Sequence, residues 1–327
     1  MDENVLGTIT PDRIREARAR IAPYVRHTPL EPSHELSRLV GANVFLKLES
    51  QQVTGSFKPR VSFSKLLALD EAQRGRGVIA STAGGHGIGL SYAARALGVA
   101  ADIYLPHTAD PRKVEAIRRN GARMTFFERV SDARQAALER AAESGLTVVP
   151  AYNDPDVIAG GGTVGLEILE DLPEVDLVMV GMGGGGVISG MAIALKEARP
   201  RLQAWGVQPE VNPVLAEWMR QGRPVPVEQR ASIADGLGAS IEEDSLTFPL
   251  ALRYVDRTVL VAEDEIKDAM AWMLEEHQMV VEPSGAAPVA ALMKARPSGF
   301  RNVAVVVTGR NISRPRYVDL LDGRLFA

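Results

Sequence analysis

The chain has 327 residues, 46% of them hydrophobic, which suits roughly two globular domains with filled cores. A net charge of -4 without any long Lys/Arg run leaves no electrostatic footprint for nucleic acid or an anionic membrane, and the absence of cysteine removes disulfides, thiolate nucleophiles and Cys-type zinc sites together. Met1-Asp2-Glu3-Asn4 is acidic where a signal peptide carries positive charge, and no apolar stretch approaches about 18 residues, so a cytoplasmic, non-membrane protein is expected.

In chain order, Thr10 is a fitting N-cap with Pro11 in the first helical position, and the helix runs to about Ile21. Asn43 to Leu48 alternates as a strand does. Ser56 to Leu69 reads as a helix in which Pro59 is tolerated only in the first turn, which puts Lys58 at a helix start. Strands at Gly77 to Ser81, Ala101 to Leu105, Arg123 to Phe127 and Leu146 to Val149 follow, separated by helical patterns such as Pro111 to Asn120 and Ser131 to Ser144. From about Asn153 the pattern restarts, with a helix near Thr163 to Glu170 and another from Val187 to Ala198. Its strands fall at Asp176 to Gly181, Gln203 to Val207, Thr258 to Val261 and Val303 to Val307, the last two bracketing helices near Glu263 to Glu276 and Pro283 to Lys294. The alternation argues for α/β layers with largely parallel strands. With no repeats and no long charged linker, the two units should pack closely around a cleft, where ligands usually sit.

Gly181-Met182-Gly183-Gly184-Gly185-Gly186 satisfies G-x-G-x-x-G after a strand and before a helix, and Glu210 stands 24 residues beyond Gly186. A nicotinamide dinucleotide site, and hence an oxidoreductase, is one reading. The physical cause is wider: residues without side chains let N–H groups converge on a phosphate beside the positive end of a helix. The run therefore specifies phosphate more securely than it specifies the molecule, and tight strand-to-helix packing is the plain alternative. A second glycine-rich turn, Ser81-Thr82-Ala83-Gly84-Gly85-His86-Gly87-Ile88-Gly89, offers N–H groups and the Thr82 hydroxyl to a carboxylate. Two anion sites, one per unit, fit a cofactor phosphate on one side of the cleft and an amino-acid substrate on the other. Lys58, within Val53-Thr54-Gly55-Ser56-Phe57-Lys58-Pro59-Arg60, is the reactive amine that could hold such a cofactor covalently. His86, taken alone, is more often a packed or capping residue than a catalyst.

Several stretches carry a family likeness: Thr28-Pro29-Leu30, Phe45-Leu46-Lys47-Leu48-Glu49, Gly55-Ser56-Phe57-Lys58, Ala83-Gly84 with His86, Asp154-Pro155-Asp156-Val157-Ile158-Ala159-Gly160, Gly183 to Gly186, Glu282-Pro283-Ser284-Gly285-Ala286, and Thr308-Gly309 with Asn311. Each is weak alone; their order and spacing are specific. From about residue 10 to about 313 the chain resembles the fold-type II pyridoxal-phosphate enzymes of the threonine and serine dehydratase branch. The resemblance implies a fold like that of the tryptophan synthase β chain: two open twisted α/β domains, a large cofactor-binding one at 1–61 plus 153–327 and a small one at 62–152 that closes over substrate. It implies pyridoxal 5'-phosphate joined to Lys58 as a Schiff base, with Lys58 later moving the α-proton. Phe57 would pack beside the pyridine ring, Gly183, Gly184, Gly185 and Gly186 would hold the phosphate, Thr308 would pair with the pyridine nitrogen, and Glu282 and Gly85 would complete the cofactor wall. Thr82, Ala83, Gly84, His86 and Arg310 would meet the substrate. A neutral hydroxyl at the pyridine nitrogen makes the ring a weaker electron sink, which favours β-elimination over transamination. Racemases of this group place a serine where this chain has Ala83, and a methyl group cannot carry a proton.

The implied activity is dehydration and deamination of an L-β-hydroxy amino acid, threonine or serine by default, in a homodimer. Departures from the family pattern bear on substrate. Gly85 stands where an asparagine usually contacts the phenolic oxygen, Arg310 replaces a glycine before Asn311, and Val61 replaces a small residue; with Gly85 and Arg310, an acidic or bulkier substrate is the alternative. Of the acidic cluster that binds a divalent cation in some relatives, Glu210 and Asp235 survive as candidates while Val214, Leu215 and Ala216 fill the stretch between, so no metal is expected. No regulatory amino-acid-binding domain is expected either.

Overall fold

The computed structural model describes residues 7–238 and 241–322. In chain order its strands are β1 (Leu30–Pro32), β2 (Asn43–Lys47), β3 (Val78–Ser81), β4 (Ala101–Pro106), β5 (Arg123–Phe127), β6 (Thr147–Val148), β7 (Leu177–Gly181), β8 (Gln203–Pro209), β9 (Arg257–Val261) and β10 (Asn302–Val306). They form two sheets. One has the order β1-β2-β10-β7-β8-β9 and is parallel except where β1 runs antiparallel to β2; the other, β5-β4-β3-β6, is wholly parallel. Strands β7 and β10 are buried along their whole length, which is why they read as unbroken apolar runs and not as alternation. The larger sheet is packed on both faces, by a cluster around Met179, Trp205, Met270 and Val305 and by another around Val180, Met191, Leu195 and Val306.

Close helix packing sets the frame for Lys58. The helix Lys58–Ala68 lies against the helix Pro155–Asp171, and a Cβ placed on Gly160 would come 2.7 Å from the Arg60 carbonyl oxygen. The same long helix crosses Gly186–Ala198 so closely that a Cβ on Gly190 would lie 2.2 Å from the Ile158 oxygen. Beside this junction runs a buried charge network. The Arg60 guanidinium donates to Glu49 and Glu167, Lys47 Nζ sits 2.8 Å from Glu167, and Thr28 Oγ1 donates to Glu49. Arg60, Lys47 and Glu49 are at most 1% exposed, so the pairs must satisfy one another. They fix the chain two residues beyond Lys58.

The structure differs from the sequence reading at a few elements. The helix expected from Thr163 starts at Pro155, capped by Asp154, whose carboxylate accepts from Asp156 N and Val157 N. The Lys58 helix spans Lys58–Ala68, shorter than Ser56 to Leu69. Strand β1 and the helices His34–Val40, Glu71–Arg76, Val214–Gln221, Thr247–Tyr254 and Arg314–Leu321 add to those anticipated.

Candidate active site

Strands β2, β10 and β7 are neighbours and parallel, so the segments leaving their C-terminal ends converge: that leading to Lys58, that containing Thr308, and the Gly183 to Gly186 loop. Ligands collect at such ends in open α/β sheets. Ser56 and Gly309 form an isolated bridge, Phe57 N donates to the Thr308 oxygen at 3.2 Å, and Arg310 N donates to the Gly55 oxygen at 2.9 Å. These bonds hold Phe57 and Lys58 beside Thr308. Lys58 is half-buried and opens its helix; Nζ lies 4.7 Å from the centre of the Phe57 ring. Burial pushes its pKa down to about 8, with the charge of Lys113 acting in the same direction and Glu282 opposing. An amine tuned this way is substantially neutral near neutral pH.

The helix Gly85–Leu97 presses on Lys58 directly, since a Cβ on Gly89 would lie 2.7 Å from the Lys58 carbonyl carbon and Cβ. At its start Thr82 Oγ1 accepts from Gly84 N at 2.9 Å, so that N–H is spent inside the turn. Gly84 has φ +130°, a conformation that favours glycine, and a Cβ there would strike the Lys113 stem at 2.8 Å. A Cβ on Gly85 would meet nothing within 4 Å. His86 is 2% exposed, and its Nε2 donates to the Val149 oxygen at 2.9 Å. Nδ1 is therefore the bare nitrogen, and it has no partner. Burial and then the Lys58 charge hold the His86 pKa down to about 3, so the imidazole is neutral.

In the loop after β7, Gly185 with φ +84° leads into the helix Gly186–Ala198, presenting backbone at its N-terminus. Gly184 and Gly186 lie against Tyr152, whose ring a Cβ on Gly184 would approach at 2.3 Å; the Tyr152 hydroxyl donates to Glu242 at 2.5 Å. The Thr308 hydroxyl donates to the Ser284 oxygen at 3.3 Å. The Glu282 carboxylate rests on Gly309 and lies 3.4 Å from Lys113 Nζ; burial raises its pKa, Asp235 adds to the rise and Lys113 counters it. Arg310 is exposed, with its stem beside Gly55 and no ion-pair partner among the described residues. Glu210 and Asp235 are not brought together: Glu210 pairs with Lys294 at 2.8 Å, Asp235 with Lys113 at 2.8 Å, and no acidic or histidine cluster among the described residues could hold a metal ion.

Sequence reasoning passed over Lys113, Tyr152, Glu242 and the role of Asp235 as a partner of Lys113. The available signal for Lys113 was its position one turn before the buried Ile117, on the inward face of the helix Pro111–Arg119.

The lining fits a phosphorylated aromatic aldehyde. Ser56 Oγ, His86 Nδ1 and Ser189 Oγ are buried without hydrogen-bond partners, and such atoms call for an explanation. All three lie in or beside the segments that carry Lys58 and the two glycine turns. The family model described as pyridoxal-phosphate dependent enzyme matches residues 21–309. The chain belongs to this family. It is 41% identical to an L-threonine ammonia-lyase of Thermotoga maritima over 96% of this chain and 77% of that one. It is 37% identical to an L-threo-3-hydroxyaspartate ammonia-lyase of a Pseudomonas species over 94% of this chain and 97% of that one. Maize serine racemase superposes with a TM-score of 0.91 at 32% identity, covering 97% of this chain and 98% of that one. The fold is fold-type II, the protein is an enzyme, and its cofactor is pyridoxal phosphate. The dinucleotide reading of Gly181 to Gly186 falls with this membership, and Glu210, which that reading needed for a ribose, is tied to Lys294 instead.

Proposed function

We propose that this enzyme eliminates water from an L-β-hydroxy amino acid, threonine or serine, and releases a 2-keto acid and ammonia. The observation that carries the reading is Lys58 itself, a desolvated amine with its pKa near 8, seated between the Phe57 ring and the helix Gly85–Leu97 at Gly89. The amine of Lys58 would hold the cofactor, the N–H groups of Gly183, Gly184, Gly185 and Gly186 its phosphate, and Phe57, Glu282 and Thr308 its ring. Bound there, pyridoxal phosphate supplies an electron sink for the charge left at the substrate α-carbon.

Substrate carboxylate is held by the free N–H groups of the turn built from Thr82, Ala83, Gly84 and Gly85, with the positive end of the helix Gly85–Leu97 behind them. Lys58 Nζ then takes the α-proton. His86, neutral and pinned to Val149, would offer Nδ1 as an acceptor to the bound substrate and carries no proton through the reaction. The β-hydroxyl leaves as water, and the released enamine hydrolyses to the keto acid and ammonia. Ala83 offers no acid or base on the other face of the α-carbon, so elimination proceeds without racemisation. Arg310 stands at the surface beside Gly55, where its guanidinium would offer a fork to the substrate carboxylate at the mouth of the cleft.

The lobe of residues 62–152 closes on a larger lobe of 1–61 plus 153–327, and the enzyme works as a cytoplasmic homodimer without a metal ion. Among the described residues no helix is long and apolar enough to cross a membrane. The test is keto-acid release from a panel of L-β-hydroxy amino acids by the cofactor-loaded enzyme and by Lys58→Ala. Turnover of threonine or serine, abolished in the variant, is the expected result. Failure of the loaded wild type on every member of the panel overturns the assignment.

A further inference from the structure

Lys113 is an ammonium that the elimination scheme does not use, although it lies against the substrate turn. Its stem touches Gly84, it is 3% exposed, and its Nζ is 2.8 and 3.0 Å from the two Asp235 carboxylate oxygens and 3.4 Å from Glu282. Asp235 also has the part-exposed Arg316 at 3.6 Å. The cluster therefore balances two carboxylates against two cations, and the buried one has no charge left over. A substrate held by the turn lies over the Lys113 stem with Asp235 and Glu282 just beyond. A second carboxylate on its β-carbon would enter a wall that already holds two, and would find the only nearby buried ammonium besides Lys58, among the described residues, already paired. Discrimination by a built-in repulsion is a common route to specificity. The upward push on Glu282 from burial and Asp235 points the same way, because a further anion there is harder still to accommodate.

We propose that Asp235 is a specificity-determining residue which, by occupying Lys113, restricts the enzyme to β-hydroxy amino acids with an uncharged side chain and excludes dicarboxylic ones. This rests on the elimination reading above and narrows its substrate class. Freed from Asp235, Lys113 keeps only Glu282, at 3.4 Å, and the cluster is left with one cation in excess under the substrate turn, which recruits a second carboxylate.

The experiment compares kcat/KM for L-threonine and L-threo-3-hydroxyaspartate in the loaded wild type, Asp235→Asn, Lys113→Met and the double variant, with malonate and acetate binding to each followed by titration calorimetry. The wild type should favour threonine by about tenfold or more. Asp235→Asn should move the ratio toward the hydroxyaspartate by about tenfold and tighten malonate by a similar factor while leaving acetate nearly unchanged; adding Lys113→Met should erase both gains. If Asp235→Asn does not fold, Asp235→Ser serves the same comparison. A wild type that prefers the dicarboxylate, an unchanged ratio in a folded Asp235 variant, or a gain that survives Lys113→Met overturns the proposal. Should the wild type release no keto acid from any substrate, the elimination reading fails, and the malonate titration still decides whether Asp235 masks Lys113.

Discussion

Lys58 makes the folded protein less stable than it would be with an apolar side chain there, and the size of that cost follows from its surroundings. Its pKa falls to about 8 in the fold, whereas a lysine in an unfolded chain titrates near 10.4. Each pKa unit corresponds to about 1.4 kcal/mol, so at pH 7, where both states hold the proton, the fold carries a penalty of roughly 3 kcal/mol. The sign with pH is fixed. Between pH 8 and about 10.4 the unfolded chain keeps a proton that the folded one has released, so wild-type stability climbs through that window and the penalty drops below about 1 kcal/mol by pH 10. Lys58→Met removes the ammonium and keeps an unbranched stem of similar length beside Phe57. The cofactor-free variant should therefore exceed the cofactor-free wild type in stability by roughly 2–3 kcal/mol at pH 7, converge with it near pH 10, and be inactive when cofactor is supplied. Urea unfolding at both pH values measures the gap. A gap that is absent at pH 7, or that does not shrink toward pH 10, refutes the placement of Lys58 in a desolvated site.

Gly85→Asn should fold normally, since a Cβ there meets nothing within 4 Å; a recovered hydrogen bond to the cofactor, worth about 0.5–1.5 kcal/mol, should lower the cofactor dissociation constant by roughly two- to twelvefold in a fluorescence titration. Gly184→Ala should cost cofactor affinity sharply, because its methyl meets the Tyr152 ring at 2.3 Å and the loop must move to admit it; retention of wild-type affinity would remove Gly184 from the phosphate site. His86, with its pKa near 3, should stay in the neutral Nε2–H tautomer from pH 8 down to about pH 4.5 in nitrogen NMR, and the pH–rate profile should show no limb assignable to it between pH 5 and 7. Arg60→Met leaves Glu49 and Glu167 buried without their main partner and should lower unfolding free energy by about 3–5 kcal/mol in a denaturant titration.

Much of this was legible in one dimension. Apart from β1, the strands of both sheets stand out as short runs rich in apolar residues, and Thr10-Pro11 announces the first helix by cap chemistry that acts locally. Gly183 to Gly186 and Thr82 to His86 were readable as glycine-rich strand-to-helix turns for the same reason, since such turns depend on neighbours in sequence. The first two turns of the helix Pro155–Asp171 were hidden by Gly160-Gly161-Gly162, which look like a break in isolation. They are helical because other elements press on them, and the Arg60 oxygen leaves no room at Gly160 for a methyl. Lys113 was hidden for a related reason. In sequence it is one cation in a helix of arginines, and only a partner 122 residues away makes it a buried ammonium with a job.

The charges around the cleft share a construction that separates two kinds of glycine. Lys113 sits on Gly84 and Glu282 on Gly309, each pair coming from different segments, with a Cβ on the glycine falling at 2.8 and 2.0 Å respectively from a side-chain atom of the charged residue. Gly89, Gly160, Gly162 and Gly190 are equally crowded, but backbone atoms of packed helices are among their nearest neighbours. A methyl added in the second group pushes helices apart and should be felt as stability alone. A methyl added in the first group displaces a charge whose distance to Lys58 sets the pKa of that amine: moving Glu282 away lowers it further, and moving Lys113 away lets it rise. The two groups should therefore differ in the pH dependence of activity even where they are matched in lost stability, because the first holds the electrostatics of the site in register and the second holds only the fold.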